Sequence, residues 1–332
     1  MKDSGKIISL NSLEIGYGSG SGKNILLPPL TAGASKGELV AIIGRNGIGK
    51  STLLRTMAGI QEQRGGAVIC MDKNISDYSP KDLSLISGFI STEPVRVSSM
   101  RVYDLVSMGR YPHTSLLGSM SPGDHDAVGA ALDMASIRYC SGKFVAELSD
   151  GERQKAGIAR LLAQDTGIML MDEPTAFLDI RSKFEVFHLM YRLCHEQGKT
   201  IVYTSHDLNM ASRYSDKIWL LLDTGLVQGS PEDLMINGDF EYLFESSSVV
   251  FNSGDGTWTF MEETKGNVHV DGSGKLQHWT GEALKRAGFS LSDEMTGINI
   301  EIKPGPVWVL YTGEKISEHL TIYDLVMELG KV

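Results

Sequence analysis

The chain has 332 residues, with 31 Lys and Arg against 41 Asp and Glu and a formal charge of −10. That length predicts one large domain with a smaller appendage, and the acid excess argues against a surface that tracks nucleic-acid phosphates, so no nucleic acid is expected as a partner. Three scattered cysteines, Cys70, Cys140 and Cys194, suit neither a disulfide framework nor a zinc site and read as buried thiols of a reducing compartment.

The amino-terminal stretch MKDSGKIISLNSLEIGYG lacks the apolar core of a signal peptide, and the longest apolar runs elsewhere are strand-sized. A cytoplasmic chain is expected, one that reaches a membrane only by docking to another protein. The first forty residues alternate apolar and polar positions between Gly, Ser and Pro, which predicts short antiparallel strands. Residues 38–43 (ELVAII) form an apolar run that leads into GRNGIGKST and a helical pattern over 52–58, giving strand, loop and helix in that order. Helical periodicity then dominates from about 80 to 165 and predicts a helical insertion.

From Gly167 the α/β alternation resumes. A buried strand IMLMD, a helix over 183–196, a strand TIVYTS, a short helix after Asp207 and a strand KIWLLL predict parallel strands joined by helices. The pattern breaks near Gly238. Beyond it stand the strand candidates GTWTFM, NVHV, INIEI and PVWVLY, a helix around TGEALKRAG and a closing helix over 320–329. Trp258, Trp279 and Trp308 lie in this tail and predict a small core of its own.

Gly44-Arg45-Asn46-Gly47-Ile48-Gly49-Lys50-Ser51 satisfies G-x-x-x-x-G-K-[ST] between a predicted strand and a predicted helix. Glycines let successive amides turn toward phosphate oxygens, the following helix presents its positive end, and Lys50 neutralises the β and γ phosphates. Gly44, Asn46, Gly47, Gly49, Lys50, Ser51 and Thr52 are therefore the expected ATP contacts, with the Ser51 hydroxyl directed at Mg2+. The strand IMLMD ends in Asp172 and Glu173, which places two acids at the carboxyl edge of a parallel sheet, where ligands of open α/β folds bind. Asp172 is assigned to the metal and Glu173 to orienting and deprotonating the attacking water.

Leu148-Ser149-Asp150-Gly151-Glu152-Arg153-Gln154, opening a helix just before the acidic strand, resembles the signature motif of ATP-binding-cassette ATPases, where Leu-Ser-Gly-Gly-Gln is usual. The resemblance covers roughly residues 7–238. It implies an α/β phosphate-loop NTPase core with an antiparallel β subdomain and a helical insertion, and ATP sandwiched between two copies, each contacting the other's nucleotide through Ser149 and Gly151. Ala176-Phe177-Leu178-Asp179 is similar to the family segment whose Asp contacts the opposite copy. His206 resembles the switch histidine at the γ-phosphate, and Tyr17 the aromatic ring against adenine. The family's magnesium-touching glutamine has no counterpart in Ile90-Ser91-Thr92-Glu93-Pro94, which leaves Thr92 or Glu93 as the metal donor there.

Met108-Gly109-Arg110-Tyr111-Pro112-His113 and Leu161-Leu162-Ala163-Gln164-Asp165 look like the ATPases of iron-siderophore, haem and vitamin B12 importers. This implies docking under polytopic permease subunits and an indirect link to an extracytoplasmic substrate-binding protein. Other readings are a soluble cassette ATPase acting on ribosomes or DNA, and a nucleotide-gated sensor of low turnover. The expected organisation is an ATPase domain over 1–238 and a small α+β domain over 239–332, the latter a dimer-stabilising appendage or a regulatory module.

Overall fold

The computed structural model describes residues 5–18, 24–92, 99–114, 119–244, 249–252, 257–260 and 264–330. Two compact units emerge, one spanning Met1–Ser246 and the other Ser247–Asn252 with Thr257–Val332.

The first unit opens with the expected antiparallel strands: β1 (Lys6–Glu14), β2 (Gly16–Tyr17), β3 (Asn24–Ile25) and β4 (Leu30–Ser35). Next come β5 (Leu39–Gly44), α1 (Lys50–Met57), β6 (Gly65–Cys70), β7 (Lys73–Asn74), α2 (Pro80–Ile86) and β8 (Ser87–Ile90). Helices α3 (Val102–Ser107), α4 (Pro122–Met134) and α5 (Asp150–Gln164) form the insertion, with a 3-10 turn over Met108–His113. The unit closes through β9 (Ile168–Met171), α6 (Ile180–His195), β10 (Thr200–Thr204), α7 (Leu208–Tyr214), β11 (Lys217–Leu222), β12 (Gly225–Gly229) and α8 (Pro231–Ile236).

Its central sheet has the order β12-β11-β5-β10-β9-β8, all parallel except for the antiparallel β12, beside an antiparallel sheet β4-β1-β6-β7. Strands β9 and β10 are buried throughout, the mark of a sheet covered on both faces. One apolar cluster joins the two sheets, with Leu10, Leu30, Ile42, Leu54, Val202 and Trp219 at its centre. Asp179 caps α6, which buries Val186, Phe187, Met190, Leu193 and Cys194 at helical spacing, and Phe187 meets Tyr203 of β10 edge-on at 5.8 Å. The three cysteines are buried and free, and burial pushes the Cys194 thiol up to about 12.

Two expectations about boundaries need correction. The insertion does not begin at about residue 80, because β8 pairs in parallel with β9 and belongs to the central sheet. Ser87-Gly88-Phe89-Ile90, four residues directly after a helix with only two large apolar side chains, carries no periodicity that separates it from that helix. The first unit also runs past residue 238, since a 3-10 turn over Asp239–Phe244 buries Phe240 completely and packs on α8 and β11. Among the described residues no helix is long and apolar enough to cross a membrane.

The second unit holds β13 (Val249–Asn252), β14 (Thr257–Phe260), β15 (Gly266–Asp271), α9 (Gly274–Arg286), β16 (Phe289–Ser292), β17 (Ile298–Lys303), β18 (Val307–Thr312), β19 (Lys315–His319) and α10 (Ile322–Leu329). Its five-stranded sheet has the order β16-β15-β17-β18-β19, mixed parallel and antiparallel. Trp308 lies in its apolar core with Leu284, Leu310 and Leu325, and the indole Nε1 donates to Thr280 Oγ1 at 2.7 Å. Trp279 instead stands on the surface, and the side chain of Trp258 lies outside the described residues.

Candidate functional site

The loop from β5 to α1 folds as its glycines require. Gly47 (φ 79°) and Gly49 (φ 113°) adopt left-handed backbone conformations that a side chain would strain. At Gly44 a Cβ would come within 2.8 Å of the Leu221 carbonyl oxygen, so only glycine fits against β11. Asn46 sits exposed at the rim. Lys50 is only 6% exposed, and its Nζ folds back over the loop to donate to the carbonyls of Gly44 (2.7 Å) and Arg45 (3.2 Å). Burial lowers its pKa, while the nearby charges of Glu173 and Asp172 work to keep it protonated.

Strands β9 and β10 bring the remaining groups to the same edge. Asp172 is 2% exposed, and its Oδ1 accepts from both Ser51 Oγ and Thr204 Oγ1 at 2.8 Å. Thr204 Oγ1 accepts from the Glu173 amide at 2.8 Å, which ties both acids to β10. Glu173 itself is held at φ 49°, an uncommon left-handed conformation for a residue with a side chain, and its carboxylate pairs with His206 Nε2. The other ring nitrogen of His206 lies 3.4 Å from Lys50 Nζ. Lys50, Ser51, Asp172, Glu173 and His206, read from three separate stretches of sequence, thus form one connected cluster.

Tyr17 is 52% exposed, and its hydroxyl shares a 2.7 Å hydrogen bond with Thr52 Oγ1, which puts the ring beside the start of α1. Thr92 does not take the place expected of it. The chain leaving β8 runs alongside the end of β9, so the Thr92 hydroxyl donates to the Asp172 backbone oxygen at 3.1 Å and is not engaged with the carboxylate. That geometry makes Thr92 a backbone tether and does not support it as a metal ligand; Glu93 lies outside the described residues.

Among the described residues no three or more His, Cys, Asp or Glu groups could hold a metal ion together. The Ser51 hydroxyl and Asp172 carboxylate are hard oxygen donors that touch beside the phosphate loop. They fit Mg2+ of the kind that completes its shell with water and phosphate oxygens.

Ser149 stands exposed as the N-cap of α5, accepting from the Glu152 amide. Gly151 is buried, and a Cβ there would lie 2.6 Å from Ser182 Oγ of α6. Asp179 is exposed and accepts from the Ser182 amide (3.0 Å) and hydroxyl (2.7 Å). The far end of α5 is gripped by the Met108–His113 turn. Arg110 donates to the Ala163 carbonyl (2.8 Å) and pairs with Asp124 (2.8 Å), and His113 Nε2 lies 2.9 Å from the Gln164 carbonyl. Sequence reasoning singled these residues out without finding this job, which caps the carbonyls of α5 from a neighbouring turn. It missed Thr204 altogether, and only the small polar residue at the end of a buried strand could have pointed to it.

Residues 27–176 match the family model described as ABC transporter, and residues 265–330 match the one described as iron ABC transporter C-terminal domain. The chain is 35% identical over 244 residues to the iron(3+)-hydroxamate import ATP-binding protein FhuC of Bacillus subtilis, covering 73% of this chain and 89% of that protein. It is 37% identical over 224 residues to the ferric enterobactin transport ATP-binding protein FepC of Escherichia coli, covering 67% and 81%. Among solved structures it resembles cbiO1 from Clostridium perfringens, part of the transporter complex cbiONQ, with 28% identity, a TM-score of 0.62 and coverage of 71% and 93%. The bacterial ABC transporter cassette MJ0796, solved as a dimer, aligns with 25% identity, a TM-score of 0.59 and coverage of 68% and 98%. With the phosphate loop and its paired acids at one sheet edge, these likenesses establish that the chain belongs to the ATP-hydrolysing, ATP-binding subunits of ABC transporters, with homologues in iron-siderophore import.

Proposed function

We propose that two copies of this chain enclose ATP and use its hydrolysis to drive import of an iron chelate of siderophore type through a membrane permease. The observation that carries the reading is the connected cluster of Lys50, Ser51, Asp172, Glu173 and His206 at the sheet edge. The loop amides and Lys50 would bind the phosphates, Thr52 would close the loop's contacts with them, and Tyr17 would stack on adenine. Ser51 and Asp172 would hold Mg2+, which supplies charge neutralisation for the leaving ADP. Glu173, oriented by His206, takes the proton of the attacking water as the bond from its oxygen to the γ-phosphorus forms and the bond to ADP breaks. Ser149, Gly151 and Asp179 would serve the nucleotide and loop of the second copy; the exposure of Ser149 and Asp179 suits that role, while the buried Gly151 lets the start of α5 lie close against Ser182.

Iron as cargo is supported by the iron(3+)-hydroxamate and ferric enterobactin transport relatives and by the C-terminal match to an iron transporter domain. Haem and cobalamin draw no specific support. A cavity of about 630 Å³ lined by Ile60, Gln61, Ile75, Tyr78, Leu83 and Phe89 supports docking of a permease segment. Strand β8 leads from that cavity to Thr92 and so to the Asp172 backbone, a direct mechanical line to the acids. An extracytoplasmic substrate-binding protein would deliver cargo to the permease without touching this chain, which would sit on the cytoplasmic face.

The test is co-purification with a polytopic permease and siderophore-iron uptake in vesicles containing the complex. Glu173→Gln is expected to lower hydrolysis by about 10²–10⁴-fold while ATP binding and pairing persist. Hydrolysis by that variant at the parent rate would remove Glu173 from its assigned role, and ATP-independent iron uptake would overturn the transport reading.

A further inference from the structure

The start of α5 carries more polar engagement than a helix cap requires. Glu152 Oε2 accepts from both the Ser149 amide (2.9 Å) and the Ser149 hydroxyl (3.0 Å), and the Glu152 amide donates back to Ser149 Oγ at 3.2 Å. A capping box needs no more than that one carboxylate oxygen. The other oxygen, Oε1, accepts from the Tyr139 hydroxyl at 2.9 Å and lies 3.8 Å from Lys143 Nζ. Lys143 in turn sits 5.6 Å from the centre of the Tyr139 ring. Tyr139 and Lys143 belong to the segment before the helix, so the carboxylate is fastened to two pieces of chain at once.

The charge state agrees with this geometry. The hydrogen bond from the Ser149 amide, then those from Tyr139 and Ser149 Oγ, hold the Glu152 carboxyl below its ordinary range against the opposing effect of burial. The same carboxylate pushes the Tyr139 phenol up to about 12, so at neutral pH Tyr139 is a donor and Glu152 an anion. Asp150 is paired instead with Arg153 at 2.6 Å.

We propose that Glu152 is a positioning residue that restrains Ser149, and that Tyr139 anchors it, so that pairing of two copies around ATP requires Ser149 to exchange the Glu152 carboxylate for phosphate. A serine hydroxyl has a single hydrogen to donate, and here it is directed at Glu152. The proposal rests on the reading that Ser149 contacts nucleotide held by the second copy. In that state the Glu152 charge faces the γ-phosphate, and like charges in a closed, water-poor interface oppose closure. The usual glutamine has no such charge.

The experiment measures the ATP concentration at half-maximal pairing by light scattering, using the full chain in a Glu173→Gln background. The same substitutions in the parent chain give KM and kcat. Glu152→Gln is expected to lower the half-pairing concentration and the KM for ATP about tenfold, with a smaller change in kcat. Tyr139→Phe keeps the ring and is expected to shift both in the same direction by about threefold, with no further gain when combined with Glu152→Gln. An unchanged or raised half-pairing concentration for Glu152→Gln, or a Tyr139→Phe effect that adds in full to it, overturns the proposal. Ser149→Ala separates the two levels of the argument. If it leaves pairing intact, the nucleotide-sandwich role of Ser149 fails; if it abolishes pairing while Glu152→Gln changes nothing, only the Glu152 restraint fails.

Discussion

The two units each contain a strand that turns through a glycine-rich loop into a helix bearing an early lysine, and only the first of these lysines is buried among acids. In the first, β5 leads through Gly47 and Gly49 to Lys50, which is buried within reach of Glu173, Asp172 and His206. In the second, β15 leads through Asp271-Gly272-Ser273-Gly274 to Lys275, with Gly274 also left-handed at φ 62°. There the lysine is exposed, and Glu301, opposite Asp271 on β17, accepts instead from Tyr311 at 2.8 Å. Local backbone shape is thus a weak indicator of phosphate chemistry. What separates the two is burial of mutually hydrogen-bonded polar groups, since a buried charge persists only where partners compensate its lost hydration.

The sharpest way to test the independence of the two units is to damage the second core. Trp308→Ala removes a buried indole and its bond to Thr280 Oγ1, which keeps only its own donation to the Leu276 carbonyl, and is expected to cost that unit about 3–5 kcal/mol. Calorimetry should show its transition moving to lower temperature while ATP hydrolysis remains; loss of both together would break the comparison. Next in size, Lys50→Ala is expected to reduce hydrolysis about 10²–10³-fold. Lys275→Ala should leave ATP affinity and turnover unchanged, and a defect there would give the second loop a nucleotide role.

The smallest effect concerns a pH-dependent contact within the first unit. His195, at the end of α6, directs Nε2 to Asp216 (3.0 Å) and Nδ1 to the Tyr191 carbonyl (3.0 Å), and Asp216 also accepts from the Leu39 amide that opens β5 (2.7 Å). Burial opposes the imidazolium, but its bonds to Tyr191 and Asp216 outweigh that and raise its pKa above the ordinary 6.5. A raised folded-state pKa contributes stability that is complete below the unfolded value and is lost as pH rises through the folded one. Denaturation of the parent chain is therefore expected to show a modest fall in stability just above pH 6.5, absent in His195→Gln.

Much of the site was legible because its chemistry depends on short contiguous strings. Glycines at fixed offsets before Lys50 and Ser51, and two acids ending an apolar run, each state a backbone shape and a charge that few other arrangements tolerate. Tyr17, Ser149 and Asp179 were legible only through resemblance, since a lone tyrosine, serine or aspartate carries no local signature. The strand β8 escaped because Ser-Gly-Phe-Ile carries only two large apolar residues directly after a helix, β16 because four residues are too few to establish a period, and β19 because Ser, Glu and His follow its single Ile. Thr92 was misassigned because its partner, the Asp172 backbone oxygen, lies 80 positions away in sequence.

The sequence by itself determined the phosphate loop, the acidic pair, the alternation of strands and helices and the presence of a second small core, because each follows from steric and hydrophobic patterns within one stretch of chain. Only the tertiary structure decided that Thr204 joins Asp172 to Glu173, that Lys50 is buried among acids while Lys275 is not, and that Glu152 occupies the hydroxyl of Ser149 with help from Tyr139. Apart from the local Ser149–Glu152 cap, these are pairings between separate segments, and their geometry is set by how the sheet and the helical insertion pack.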